Sequence, residues 1–480
     1  MPIALTLAVL LAASANAAAP VKPQPFVVGE TLQMESRVLA ETRTYIIHTP
    51  ASYKSGKDRY PVLVLQDGES NFAHTVAAVD LLADNGRIPE MIVVGVNNTD
   101  RSRDMTPTRP ATGWGGTPWS GSAGGADKFL AFIADELLPA VDRDYRTRPY
   151  RILVGHSLGG LFAIYALTTR PEVFNGYLAI SPSLWWDDQA LVKKAQPFFA
   201  VHPQLRADLY MTMGDEGQAM LGGAWKLAAV LEESKLKDVR WQFKRSVEED
   251  HGTIPYLSTY EGLQAIFSGY RITDPVALYD QGGTAALDRH YAEFSRRLGY
   301  PIKVPESLYH VMMWRLGELE RFSDAEVIGK QALALEPRDA SIHSTLAELA
   351  GMQKDTPRAI AHLTEALRLY PGNTDTRKAL ADYKVDVNSI VPDTRLSSRQ
   401  LAPYLGTYRF NDELIKVAYE KDVLTASGTI EKCELRPVSP TRFYCVDVDL
   451  EIGFDKDAGG RVVGLTAEYP DRTDQFRRVR

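Results

Sequence analysis

The sequence predicts a fold in three parts: an α/β domain built on a mostly parallel sheet, an all-α segment after it, and a small antiparallel β domain at the end. Short apolar runs at 61–65, 91–96 and 177–180 alternate with amphipathic patterns such as 128–138 and 225–235. This alternation is typical of a parallel sheet covered by helices on both faces. Helical patterns alone then follow, and short strand-like runs complete the chain.

The α/β domain extends over residues 26–272. Further strand-like runs lie at 43–47, 152–154, 209–213 and 239–243. Because most of the strand-like runs of this domain are apolar almost throughout, they indicate strands that are buried on both faces rather than strands with one face exposed to water.

Residues 283–384 predict helices only, and they contain an internal repeat. Ala325 recurs as Ala359 and Pro337 recurs as Pro371, in each case 34 residues later. A helix-turn-helix period of this length resembles the tetratricopeptide repeat (TPR). Because so few units cannot bury their own apolar faces, we expect them to lean on a neighbouring domain. They would provide a surface for a protein partner or for self-association; the alternative is a structural appendage of the α/β domain.

Residues 395–480 predict a small β domain, because short strand-like runs between 414 and 479 are joined by turns. This pattern indicates an antiparallel meander or a barrel. The two cysteines of the chain, Cys433 and Cys445, flank a predicted hairpin turn. A disulfide and a pair of buried free thiols both remain compatible with that spacing. We find no catalytic constellation in this part of the sequence.

Charge and the N-terminal residues restrict the class and location of the protein. The net charge is −7 and no basic run occurs, which argues against nucleic-acid binding. An apolar run at 3–13 followed by Ala15-Asn16-Ala17 predicts a signal peptide over residues 1–19, and hence a periplasmic or secreted protein. No Lys or Arg precedes the run, so the alternative is an apolar tail that stays attached. The run at 3–13 is too short to span a bilayer, and no other stretch of the sequence predicts a transmembrane segment.

One short motif predicts catalytic chemistry. It lies between a strand-like run and a helical pattern and reads Gly155-His156-Ser157-Leu158-Gly159-Gly160. This is the strand-turn-helix context of the G-x-S-x-G nucleophile elbow of α/β-hydrolases. The glycines permit close backbone approach at a sharp turn, and the turn exposes the Ser157 hydroxyl at the start of a helix. We therefore predict an α/β-hydrolase fold with Ser157 as the nucleophile; the alternative is a turn without chemistry.

A serine hydroxyl needs a general base, which in this fold is a histidine that follows the acid along the chain. His251 comes after the last predicted strand of the sheet, whereas His202 comes too early. The acid should follow the preceding strand, where Asp215 and Glu216 are adjacent. We favour Glu216 for its longer reach and keep Asp215 as the alternative. The acid would orient the imidazole and stabilise its charged form.

The oxyanion of a tetrahedral intermediate needs two backbone donors. One is the N–H of Leu158, the residue after the nucleophile. The second is expected from the loop that follows the strand-like run 61–65, at Gly68 or Glu69.

Aromatic side chains on loops above the strand ends can line an acyl pocket. Trp185, Trp186 and Trp114 are the candidates, with packing against the core as the alternative. Arg103, together with Arg101, could bind an anionic substrate, but a local ion pair with the neighbouring aspartate explains Arg103 as well. Neither a metal site nor a phosphate-binding glycine loop is apparent, so hydrolysis is expected to need no metal and no cofactor.

Several motifs of the α/β domain resemble the family of "putative esterases". They are Asp67-Gly68, Arg103-Asp104-Met105-Thr106-Pro107, the elbow itself and Ser181-Pro182-Ser183-Leu184-Trp185-Trp186. That family contains enterochelin-type siderophore esterases, S-formylglutathione hydrolases and mycolyltransferases, all of them α/β-hydrolases. The resemblance implies a serine hydrolase that cleaves a small-molecule carboxylic ester through an acyl-enzyme. It leaves open a siderophore esterase for an enterobactin-like trilactone and an acyltransferase; an inert TPR-like binding protein is less favoured.

Overall fold

The computed structural model describes residues 25–113, 116–391, 394–420, 423–446, 448–469 and 473–479. The predicted signal peptide, residues 1–19, and Trp114 lie outside these described residues. The described chain forms an α/β unit, a helical segment and an antiparallel β-barrel, which confirms the fold class predicted from the sequence.

The α/β unit is built on an eight-stranded sheet. Its strands are β1 (Glu30–Ser36), β2 (Glu41–His48), β3 (Tyr60–Gln66), β4 (Ile92–Val96), β5 (Thr147–His156), β6 (Gly176–Ile180), β7 (Ala207–Met213) and β8 (Val239–Arg245). They lie in the order β1-β2-β4-β3-β5-β6-β7-β8. The pairs β1–β2 and β2–β4 are antiparallel, and every pairing from β4 across to β8 is parallel. The carboxyl ends of β5 to β8 therefore meet at one edge, where a site can form.

Helices cover both faces of this sheet. They are α1 (Ser52–Ser55), α2 (Gly68–Asp84), α3 (Arg101–Met105), α4 (Ala126–Phe132), α5 (Leu138–Asp144), α6 (Leu158–Leu167), α7 (Trp186–Val201), α8 (Gln218–Ser234) and α9 (Ile254–Ile266), with a π-helical stretch at Ile133–Leu137 between α4 and α5. Helices α4, α6, α7 and α8 contribute to the core on one face, and α2 and α9 to the core on the other. Helix α6 is apolar and buried almost all round, as expected of a helix enclosed by protein.

The helical segment follows the sheet. Its helices are α10 (Pro275–Asp280), α11 (Thr284–Leu298), α12 (Glu306–Glu318), α13 (Phe322–Leu335), α14 (Ala340–Met352), α15 (Thr356–Leu369) and α16 (Thr374–Asp382). Helices α12, α14 and α16 begin 34 residues apart, at positions 306, 340 and 374. Ala325 and Ala359, which are equivalent under this offset, are both buried. A partner for this segment stays a prediction.

A buried carboxylate fixes helix α11 to the amino-end edge of the sheet. Asp208, near the start of β7, accepts hydrogen bonds from Tyr150 Oη at 2.9 Å and from Arg240 Nε at 2.6 Å. Arg297 Nη2 on α11 approaches the same carboxylate to 3.3 Å. Burial raises the pKa of Asp208 despite the charge of Arg240 and the hydrogen bonds from Arg240 and Tyr150. This junction lies at the edge of the sheet opposite to the carboxyl ends of the strands.

The last part of the chain is a closed antiparallel barrel. Its strands are β9 (Gly406–Phe410), β10 (Glu413–Glu420), β11 (Val423–Gly428), β12 (Cys433–Pro437), β13 (Arg442–Cys445), β14 (Glu451–Lys456), β15 (Val462–Glu468) and β16 (Thr473–Arg478), preceded by α17 (Ser398–Leu401) and by 3-10 turns at Val387–Ser389 and Ala402–Tyr404. Strand β9 pairs with both β10 and β16, so the barrel closes on itself. A disulfide between Cys433 and Cys445 joins β12 to β13. Of the two possibilities left open by the sequence, a disulfide or a pair of free thiols, the structure has the disulfide.

Across the described segments, no helix combines the length and the apolar character that crossing a bilayer would require.

Candidate active site

Ser157 lies at the tip of a tight turn between β5 and α6. Its backbone has φ 61° and ψ −115°, a sparsely populated conformation for a residue with a side chain, which stores about 1–3 kcal/mol of strain. A Cβ atom on Gly155 would lie 2.2 Å from the carbonyl oxygen of Gly159, so the turn requires glycine at that position. The N–H of Ser157 donates to the carbonyl of Ile180 at 2.9 Å, which fastens the turn to strand β6.

His251 lies between Ser157 and Glu216. Its Nε2 is 3.0 Å from Ser157 Oγ, and its Nδ1 contacts the Glu216 carboxylate. Because an ionised carboxylate can only accept, Nδ1 carries the hydrogen and Nε2 is left to accept the hydroxyl proton of Ser157. The side chain of His251 is 43% exposed and that of Glu216 is 4% exposed. The structure thus brings the three residues together, with a buried carboxylate and an imidazole open to solvent.

Both carboxylate oxygens of Glu216 have partners. One contacts His251, and the other accepts hydrogen bonds from the Ser181 hydroxyl and from the N–H of Gly214, the latter at 3.0 Å. Burial by itself raises the pKa of Glu216, but the hydrogen bonds from His251, Ser181 and Gly214 outweigh it and hold the pKa below its usual range. Glu216 is therefore ionised at neutral pH.

Asp215, the alternative acid, is turned towards solvent. Its side chain is 69% exposed and lies 3.3 Å from Arg245 Nη2. The structure brings Glu216, and not Asp215, to the imidazole of His251.

A second imidazole, that of His156, packs against His251 with ring centroids 4.5 Å apart. Burial and, next, repulsion by His251 lower the pKa of His156 to about 4. Its buried Nε2 has no hydrogen-bond partner among the described residues. His156 is thus neutral at physiological pH, and it places no second positive charge against His251 when that ring accepts a proton.

Two helix N-termini lie next to each other at the turn. Leu158 is the first residue of α6, and Gly68 and Glu69 are the first two residues of α2. The first N–H groups of a helix have no acceptor within the helix, and these three donate to no protein acceptor in the described part of the chain. A Cβ atom on Gly159 would lie 3.5 Å from Asp67 Oδ2, which shows how closely the two helix starts approach. The predicted oxyanion donors therefore lie at the starts of two helices that approach each other beside Ser157.

A cavity of about 500 Å³ opens onto Ser157. Its lining consists of Ser157, Ser183, Trp185, Asp215, Glu216, Met220, Asp250, His251 and Gly252. Of the predicted pocket tryptophans, Trp185 borders this cavity. Trp186 is buried instead: its Nε1 donates to the carbonyl of Thr108 at 3.2 Å, and its ring contacts Trp119 edge-on with centroids 5.0 Å apart. Trp186 thus has the packing role that the sequence offered as the alternative.

The structure places Arg103 in ion pairs and outside the cavity lining. Its Nη2 lies 2.7 Å from Glu41 and its Nε lies 2.7 Å from Asp104. Hydrogen bonds to these carboxylates, that to Glu41 above all, raise the pKa of Arg103. The local ion pair, given above as the alternative to substrate binding, is the arrangement found for this residue.

Two serines whose individual roles the sequence did not reveal complete the site. The Ser181 hydroxyl donates to Glu216, and Ser183 Oγ lies 3.3 Å from Ser157 Oγ. Both follow β6, the strand next to β5. Because the carboxyl ends of neighbouring parallel strands meet at one edge, their place after this strand was the available signal. Within the described ranges, no group of three His, Cys, Asp or Glu side chains could hold a metal ion.

Comparisons with known proteins find similar esterases. Residues 36–252 match the family model described as Putative esterase. The ferri-bacillibactin esterase BesA of Bacillus subtilis is 34% identical over 195 residues, which cover 36% of this chain and 64% of that protein. The siderophore enterobactin esterase of Emericella nidulans is 39% identical over 136 residues, 24% of this chain and 45% of that protein. The chain thus spans 64% and 45% of the length of these two relatives.

Solved structures show the same fold. The IroE-like serine hydrolase from Shewanella oneidensis superimposes with a TM-score of 0.56 at 27% identity, covering 64% of this chain and 99% of that one. An uncharacterised protein from Capnocytophaga ochracea gives a TM-score of 0.54 at 17% identity, covering 70% and 93%, a likeness that concerns the fold alone.

Proposed function

We propose that the chain, whose residues 36–252 match the family model described as Putative esterase, is a serine hydrolase of carboxylic esters. The observation that carries the proposal is the 3.0 Å separation between Ser157 Oγ and His251 Nε2, with Glu216 on the opposite ring nitrogen. In this proposal Ser157 is the nucleophile, His251 the general base and Glu216 the orienting acid.

The reaction proceeds in two halves. Ser157 Oγ attacks the ester carbonyl while His251 Nε2 takes the hydroxyl proton, which gives a tetrahedral oxyanion. The intermediate collapses to an acyl-enzyme as Nε2 returns that proton to the departing alcohol. Water then attacks the acyl group with His251 again as the base, and the carboxylic acid leaves as Ser157 is reprotonated. Glu216 stays ionised and stabilises the imidazolium in both halves.

The oxyanion is stabilised by backbone donors. The N–H of Leu158 and the N–H of Gly68 or Glu69 lie at adjacent helix starts and have no protein acceptor among the described residues. Donors fixed in place before the reaction stabilise developing charge without reorganisation, and the loss of one such donor slows turnover about 10²–10³-fold in serine hydrolases.

Hydrolysis of p-nitrophenyl esters by the wild type and by Ser157→Ala tests the proposal. Because the triad acts as a unit, we expect kcat to fall about 10⁴-fold or more. The matched variant Ser183→Ala removes the neighbouring hydroxyl 3.3 Å away and should keep measurable turnover, since nucleophile, base and acid remain. Equal rates for Ser157→Ala and wild type would exclude the serine mechanism.

A second candidate is a siderophore esterase that opens an enterobactin-like trilactone. Both relatives described above are named as siderophore esterases, which favours this candidate. Trp185 also offers the cavity a flat apolar surface for an aromatic acyl group. A panel of esters that includes a metal-free and a ferric trilactone separates the two candidates. Selective, fast trilactone cleavage supports the siderophore esterase, whereas broad activity on aryl esters without trilactone cleavage removes it.

The same acyl-enzyme could transfer its acyl group to an acceptor other than water. Product analysis with added alcohols or sugars distinguishes the two outcomes, and carboxylic acid as the sole product removes the acyltransferase alternative.

We also propose that the protein is exported. The apolar run at 3–13 followed by Ala15-Asn16-Ala17 supports this, and so does the disulfide between Cys433 and Cys445, because such bonds persist in oxidising compartments. Fractionation of producing cells, with sequencing of the N-terminus of the recovered protein, tests it; an uncleaved protein that stays in the cytoplasm would contradict it.

A further inference from the structure

The side chain of Arg101 bridges the two segments that carry the oxyanion donors. Its Nε lies 2.6 Å and its Nη2 3.0 Å from the two carboxylate oxygens of Asp67, in a bidentate pair. The same Nη2 donates to the carbonyl oxygen of His156 at 3.1 Å. Asp67 immediately precedes Gly68, and His156 immediately precedes Ser157, so one guanidinium holds both backbone segments at once.

Asp67 has an unusual arrangement for the residue before a helix. An aspartate at this position ordinarily turns its carboxylate back onto the first N–H groups of the helix. Here the backbone of Asp67 is left-handed, with φ 55° and ψ 46°, and its side chain caps no N–H of α2. Instead, the carboxylate accepts hydrogen bonds from Arg101 and, at 2.7 Å, from Asn98 Nδ2. The N–H groups of Gly68 and Glu69 are thereby left for another acceptor.

The carboxylate of Asp67 also lies against the nucleophile turn. A Cβ atom on Gly159 would be 3.5 Å from Asp67 Oδ2, and the Asp67 side chain is only 7% exposed. The negative charge of this carboxylate would destabilise the oxyanion that forms on the substrate carbonyl, unless a cation neutralises the carboxylate. Arg101 is the cation that pairs with it.

Resting on the function proposed above, we propose that Arg101 is a positioning residue for the oxyanion hole. It sets the distance between the Leu158 donor and the Gly68 and Glu69 donors, and it neutralises Asp67 beside them. It acts on the transition state through the backbone, and substrate binding does not require it. Arg101 and its ion-pair partner Asp67 together are called the clamp below.

Arg101→Gln tests the clamp, with Arg101→Lys as a milder variant that keeps the charge but cannot reproduce the planar bidentate contact. We expect Arg101→Gln to lower kcat about 10–100-fold while KM stays within about threefold, because only transition-state binding is lost. The affinity for a phenylboronic acid, which forms a tetrahedral anionic adduct on the serine, should fall in parallel with kcat. Arg101→Lys should fall between wild type and Arg101→Gln.

The double variant Arg101→Gln/Asp67→Asn adds a readout that a merely structural role would not give. In Arg101→Gln the Asp67 carboxylate has lost its cation and destabilises the oxyanion. Removing this charge in the double variant should therefore raise kcat at least about fivefold above that of Arg101→Gln. The control is Arg170→Gln, because Arg170 has a similar exposure, 35% against 34%, and also contacts both oxygens of a carboxylate, that of Asp135. This control should leave kcat, KM and boronate affinity unchanged, and thermal unfolding of each variant reports whether it is folded.

The outcomes separate the clamp from the proposed function. A wild type that hydrolyses esters, together with an Arg101→Gln variant of unchanged kcat and boronate affinity, would overturn the clamp alone. A raised KM with unchanged kcat would also overturn it, since Arg101 would then bind substrate directly. A wild type without esterase activity and without boronate binding would overturn the proposed function itself. If Arg101→Gln does not fold, the same comparison is made with Arg101→Lys and Asp67→Asn.

Discussion

The carboxylate of Glu216 contacts Nδ1 of His251, on the side of the imidazole opposite to Ser157. Its second oxygen is occupied by Ser181 and by the N–H of Gly214. Neither oxygen is left to rotate towards another partner, so the imidazole is held in one tautomer and one orientation. The adjacent Asp215 is paired with Arg245 at 3.3 Å and has no such role.

Two adjacent carboxylates therefore give a matched pair of variants. We expect Glu216→Gln to lower kcat about 10²–10⁴-fold, because the amide cannot stabilise the imidazolium and can favour the wrong tautomer. Asp215→Asn should change kcat less than about threefold, because Asp215 borders the cavity but pairs with Arg245 and does not contact the imidazole. Steady-state kinetics with one aryl ester decide it, and a larger loss for Asp215→Asn would reverse the assignment.

The pKa of His156 predicts how stability depends on pH. Burial and the neighbouring His251 lower that pKa to about 4 in the folded protein, whereas an unfolded histidine titrates near 6.5. Between these values the unfolded chain binds a proton that the folded protein does not. The stabilisation is therefore complete above pH 6.5 and is lost as the pH falls towards 4, by at most about 3.4 kcal/mol.

Replacing His156 by Gln should reduce this loss of folding stability at acidic pH. We expect the difference in unfolding free energy between pH 7 and pH 4.5 to be smaller in His156→Gln than in wild type, measured by chemical unfolding at both pH values. An unchanged difference would mean that His156 takes up its proton over the same pH range in the folded and the unfolded protein, so that its pKa is not lowered by folding.

Glycine at position 155 is a requirement of the nucleophile turn. A Cβ atom there would lie 2.2 Å from the backbone oxygen of Gly159, so Gly155→Ala should destabilise the α/β domain by about 3 kcal/mol or more. Gly222, within helix α8, has nothing within 4 Å of an added Cβ, and Gly222→Ala should stabilise the protein by about 0.5–1 kcal/mol. Thermal unfolding of both variants gives the test, and similar shifts for the two would contradict the close approach.

The sequence was most informative where one local pattern determines one structure. Strand character before Ser157, glycines around it and an apolar helical pattern after it predicted the turn, because a strand-turn-helix junction depends on a few consecutive residues. The apolar runs predicted the parallel part of the sheet for the same reason, since strands buried on both faces must be apolar throughout. Chain order then located His251 after β8.

Other features depend on contacts between distant residues. The choice between Glu216 and Asp215 rests on which carboxylate reaches His251, and no local pattern shows that. Trp185 and Trp186 are neighbours in sequence, yet one borders the cavity and the other is buried against Trp119. The barrel closes because β9 pairs with β16 at the other end of the domain, a register that the runs themselves do not encode.

Arg101 shows the same limit. From the sequence it was a candidate for binding an anionic substrate, because an arginine near a predicted site offers an exposed charge. The structure instead uses Nε and Nη2 for Asp67 and the carbonyl of His156. Only the positions of both segments in space reveal that a single side chain joins them.

Covalent labelling of Ser157 tests the central claim most directly, because only an activated hydroxyl reacts quickly with a fluorophosphonate. The protein is incubated with the probe at neutral pH, and the modified residue is located by mass spectrometry of its peptides. We predict modification at Ser157, none at Ser183, and loss of labelling in His251→Ala, since the base 3.0 Å away would be missing. Labelling that is absent from the wild type, or that persists unchanged in His251→Ala, would contradict the account.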